Sequence, residues 1–107
     1  MKLYRAISLK ERLDYKKCKQ FRTARDTLEA KQFFKSETGV FEFIKDSVTG
    51  NFYPPYLYVY CIEIDEECMS KIEYDEQILD GYKAVTIHEQ YLPDFNKCVK
   101  LAIENVI

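Results

Sequence analysis

Apolar and polar positions along this 107-residue chain change period several times, and each change marks an element. Lys2 to Ile7 reads as a first strand, interrupted by a single charge at Arg5. Ser8 and Glu11 then have the S-x-x-E spacing of a capping box, in which each side chain satisfies an orphan amide at a helix start. Leu9, Leu13 and Lys17 or Cys18 fall on one face of that helix, which fades near Gln20. Phe21 to Ala30 has no clean period and reads as a loop carrying Arg22 and Arg25. Lys31 to Lys35 is a short second strand centred on Phe33 and Phe34.

Ser36 or Thr38 can cap a second helix, with Val40, Phe43, Ile44 and Val48 at helical spacing and Gly39 weakening its first turn. Thr49-Gly50-Asn51 stops it. After Pro54-Pro55, Leu57 to Ile64 is apolar on both faces until Glu63, the pattern of a central strand covered on both sides. Asp65 caps a short helix, with Glu66 and Glu67 well placed against its dipole. Asp80-Gly81 turns the chain into a strand from Tyr82 to Ile87. Pro93 suits the first turn of a last helix, with Phe95, Cys98 or Val99, Ala102 and Val106 inward. The expected order is β-α-β-α-β-(α)-β-α. It predicts one α+β domain over residues 1–107, with a small mixed or antiparallel sheet and flanking helices.

Charge alters this picture little in bulk and more in distribution. The formal net charge is −2, which argues against a nucleic-acid binder. Residues 1–26 nevertheless hold nine Lys/Arg against Glu11, Asp14 and Asp26, and residues 61–80 hold eight acids against Lys71. Such runs are solvated faces, or the two ends of a dipolar molecule that meets a charged partner. Nine Tyr and seven Phe, several between Phe52 and Tyr60, either fill a core or line a cleft. No apolar run approaches the length of a membrane span and the N-terminus does not read as a signal peptide, so the expected location is cytoplasmic. Cys18, Cys61, Cys68 and Cys98 lack zinc-knuckle spacing and are expected as reduced thiols, mostly core, with a disulfide pair as the alternative. No metal cluster, nucleophile elbow or Gly-rich phosphate loop is present in the sequence.

Three segments carry the candidate chemistry: LYRAIS (Leu3 to Ser8), TLEAKQFFKS (Thr27 to Ser36) and GYKAVTIHEQYLPDFN (Gly81 to Asn96). An arginine inside an apolar strand must face water, be paired or hold an anion, and a guanidinium fork suits a phosphate or a diol. Together the segments resemble the small bacterial and phage members of the ADP-ribosyltransferase-like fold. That resemblance implies NAD as substrate, with Arg5 as its anchor and Phe34 and Ser36 at the nicotinamide site. It also implies a glutamate on the late strand that stabilises the developing oxocarbenium charge. Ala84 stands where the pattern places that glutamate; the nearest carboxylate is Glu89, beside His88, the single histidine. Glu89 and His88 are therefore the candidate catalytic pair, and whether the protein is an enzyme stays open at this point.

Two functions follow. One is an ADP-ribosyltransferase acting on a macromolecular target, as toxins and phage effectors do. The other is a non-catalytic interaction module (inhibitor, antitoxin or adaptor) working through charged and tyrosine-rich surfaces. An enzyme needs Arg5 and a carboxylate converging on one open pocket; an interaction protein can tie Arg5 to an internal acid such as Glu63.

Overall fold

The computed structural model describes residues 1–22, 30–50, 56–79 and 81–106. Arg25, Asn51, Pro54-Pro55, Asp80 and the side chains of Val48 and Val106 lie outside the described residues. The elements are β1 (Lys2–Ile7), α1 (Leu9–Cys18), β2 (Ala30–Phe34), α2 (Glu37–Thr49), β3 (Tyr58–Ile64), α3 (Glu66–Met69), β4 (Asp75–Leu79), β5 (Tyr82–His88), α4 (Leu92–Cys98) and β6 (Val99–Val106), with a 3-10 turn at Glu89–Tyr91. Six strands form one sheet in the order β4-β5-β2-β1-β3-β6. Every pairing in it is antiparallel. The class is therefore α+β, as expected, and the element order is longer than β-α-β-α-β-(α)-β-α by two strands.

Those two strands are the main corrections. The final helix ends at Cys98, and Val99 to Val106 continues as β6, paired along β3. Val99, Ala102 and Val106 fit a helical period, but Val99, Ile103 and Val106 are β-branched and fit a strand as well. The open edge of β3 decides the matter, since a strand there gives up no hydrogen bonds and covers an otherwise bare partner. β4 escaped notice because Asp-Glu-Gln-Ile-Leu shows no alternation and the strand is mostly exposed.

Alternation along the strands divides the core between the two sheet faces. On one face Leu3, Ile7, Phe33, Ile62, Val85 and Ile87 pack with Phe95 and Leu92 of α4 and with Phe21 and Met69. Phe21, Phe33 and Phe95 stack at 4.8–6.2 Å between centroids. Each such ring contributes about 1.5–3 kcal/mol by burial. On the other face Ala6, Phe34, Val59 and Ala84 meet Val40 and Ile44 of α2. Ser36 caps α2 by accepting from the Gly39 amide at 3.1 Å. A Cβ on Gly39 would stand 3.0 Å from Phe34 Cδ1 and Tyr82 Cβ, so the glycine that weakens the helix also lets it approach the sheet.

α1 departs from its expected face. No residue of α1 is buried, and Leu9 and Leu13 are about half exposed. The helix instead turns Tyr15 to Phe21 and Tyr60, at 4.6 and 5.0 Å between ring centroids, and its ionic side chains to the sheet. Ser8 makes its half of the capping box, accepting from the Glu11 amide at 3.4 Å. The Glu11 carboxylate goes instead to Arg5 and Lys31.

The thiols are also corrected: Cys68 of α3 and Cys98 of α4 form a disulfide, with Cα atoms 5.4 Å apart. Their 30-residue separation left no local signal. Cys18 and Cys61 are unbonded and half-buried. No helix among the described residues is long and apolar enough to cross a membrane.

Candidate functional site

Arg5 leaves the centre of β1 on the face covered by α4, and three partners close it. Its Nε and Nη2 donate to the two Glu11 oxygens at 2.7 and 2.8 Å, a bidentate pair. Its Nη1 donates to the Gln32 carbonyl at 2.8 Å, and the guanidinium sits 5.5 Å from the Phe33 ring centroid. Lys31 Nζ also donates to Glu11, at 2.9 Å. The side chains of Arg5, Glu11 and Lys31 are only 17%, 18% and 9% exposed. Burial pushes the Glu11 carboxyl up, but hydrogen bonds and charge from Arg5 and Lys31 together outweigh it and hold the group below its ordinary value. Burial, with Arg5 close by, pushes Lys31 down despite Glu11. One carboxylate thus serves two cations, and the acid that ties Arg5 is Glu11 and not Glu63.

The other resemblance residues serve the fold. Phe34 is 4% exposed and lies 5.6 Å from Phe43 between ring centroids, in the α2-side core. Ser36 is the α2 cap. Ala84 is buried directly across from Phe34, where a glutamate would meet an aromatic wall. Within LPDFN, Phe95 is core. Asn96 clamps Phe21 through its backbone, accepting from the amide at 2.8 Å and donating to the carbonyl at 2.9 Å. That clamp fills the space over the sheet with an aromatic ring.

His88 and Glu89 stand together elsewhere, at the end of β5 and the start of the 3-10 turn. They line an open cavity of about 820 Å³ with Glu73, Tyr74, Asp75, Gln90 and Tyr91. His88 Nε2 and Asp75 Oδ2 are 2.8 Å apart, and Tyr91 donates to Glu73 at 2.7 Å. Among the described residues three carboxylates and no Lys or Arg line this cavity, so these residues favour cations. By alternation His88 shares the α2-side face with Ala84 and Thr86, whereas Arg5 shares the opposite face with Phe33 and Val85. The structure therefore brings His88 and Glu89 together and sets Arg5 apart from His88 by the thickness of the sheet. Sequence reading missed Glu11, Glu73 and Asp75. Glu11 was legible as an acid six residues from Arg5, but its capping spacing pointed to another role.

Among the described residues no group of three or more His, Cys, Asp and Glu is placed to hold a metal. No family model, curated protein or solved structure matches the chain.

Proposed function

We propose that this protein is a non-catalytic interaction module that presents the acidic cavity at the end of β4 and β5 to a cationic segment of a protein partner. The closure of Arg5 carries this reading. A fork with both edges engaged, by Glu11 and the Gln32 carbonyl, has little left to offer a diphosphate. Breaking so buried a pair leaves a charge uncompensated, at a cost of about 3–5 kcal/mol. The cavity itself repels an anionic dinucleotide and suits a lysine or arginine side chain.

The ADP-ribosyltransferase reading keeps one observation in its favour, the shared position of His88 and Glu89 on the lip of an open cavity. Calorimetry separates the two. Wild type and Arg5→Ala are expected to give no saturable heat with millimolar NAD. Saturable binding lost in Arg5→Ala would restore the transferase reading, and turnover with Glu89→Gln would then be measured. A short arginine-rich peptide is expected to bind the wild type with strong salt dependence, and more weakly after Glu73→Gln with Asp75→Asn.

A further inference from the structure

β6 is the longest strand of the sheet at eight residues, and among the described residues nothing pairs with its outer edge. Leu101 and Ile103 lie opposite Glu63 and Cys61 of β3, on the α2-side face, and are 55% and 52% exposed. A long exposed edge bearing apolar side chains is a ready template for another strand.

The sequence of β6 also selects what that strand is. Two copies pairing antiparallel across a two-fold axis normal to the sheet place each side chain opposite one from the same face. With Ala102 on the axis, Leu101 of each copy meets Ile103 of the other, and Lys100, which stands at the bulge where the β3 pairing passes from Leu101 to Val99, comes opposite Glu104. Moving the axis to Leu101 sets Lys100 against Ala102, and moving it to Ile103 sets Glu104 against Ala102. Only the Ala102 register of these three matches both charges and gathers four apolar side chains on one face.

We infer that β6 is a self-association strand through which two copies of this chain form a continuous antiparallel sheet, with Ala102 on the two-fold axis. Lys100 of one copy then becomes a third cation beside Glu104 of the other, which Arg12 and Lys16 already hold. The closed pairing uses up the β6 edge of each copy, and so stops that strand from recruiting further chains. This inference is independent of what enters the acidic cavity.

Size-exclusion chromatography with light scattering, over a concentration series of the full chain, tests it. The wild type is expected at twice 12.8 kDa at high micromolar concentration. Lys100→Glu sets like charges opposite Glu104 at both ends of the ribbon and is expected to weaken the dimer roughly tenfold or more. Leu101→Lys with Ile103→Lys is expected to give monomer. Both variants alter exposed side chains, and unchanged circular dichroism with a cooperative thermal transition confirms that they fold. A monomeric wild type overturns the inference, which includes the case of an edge reserved for another protein's strand. A dimer indifferent to both variants overturns it too, because its interface then lies elsewhere.

Discussion

β4 and β6 are the two edges of one sheet, and they treat their open backbone differently. β4 has five residues and begins with Asp75 and Glu76, both exposed. Asp75 contacts His88 and Glu76 contacts Lys35 within the same molecule, while both carboxylates stay largely exposed. Paired with its own copy about Gln77, β4 would set those acids against Leu79 and Ile78. β6 is longer, carries one charge of each sign at mirror positions about Ala102, and exposes two aliphatic side chains, Leu101 and Ile103, where β4 exposes one, Ile78. The contrast teaches that edge protection depends on charge arrangement, and not on the presence of charge.

The largest expected effect breaks the anchor of β6. Cys98 is the residue before β6, and its bond to Cys68 closes a loop whose constraint contributes about 3 kcal/mol. Cys68→Ala with Cys98→Ala should lower urea stability by that amount, and amide exchange should rise at β6 more than at β4. Thiol titration of the unfolded, unreduced protein should find two thiols of the four; four would remove the bond and restore the reduced, cytosolic expectation.

Glu11→Gln comes next, with an expected loss of about 2–3 kcal/mol, less than for removing the side chain outright because the amide oxygen still accepts from one cation. It also carries a pH signature. Because the folded-state value of Glu11 is depressed, its contribution is fully present above the ordinary 4.5 and is lost as pH falls below that toward the folded value. Wild-type stability should fall across this acid window, and Glu11→Gln should flatten the fall. An unchanged slope by chemical denaturation would show that the cluster is not the source.

Gly39→Ala tests the α2 face, which packs on the central strands β1 and β2 between the two edges. Helix propensity alone predicts a gain of about 1 kcal/mol. The contacts at 3.0 Å predict a net loss of about 1–2 kcal/mol instead. A thermal midpoint that rises would show that the helix can withdraw without cost.

The sequence by itself determined the elements whose causes are local. Ser8, Ser36 and Asp65 all accept from the amides that their capping positions predict. The apolar runs that became β1, β3 and β5 needed only burial on the correct face. Arg5 was legible as a charge requiring a partner, but its partner was not. Tertiary structure decided the rest. It turned Glu11 from cap to counterion, because Lys31 and Arg5 arrive beside it from separate strands. It joined Cys68 to Cys98 across 30 residues and made a strand of Val99 to Val106 because β3 had an edge to offer. It also placed Arg5 and His88 on opposite faces, a consequence of strand register that no local pattern encodes. Local sequence fixes the periodicity of each segment, whereas sheet order and register decide which side chains meet.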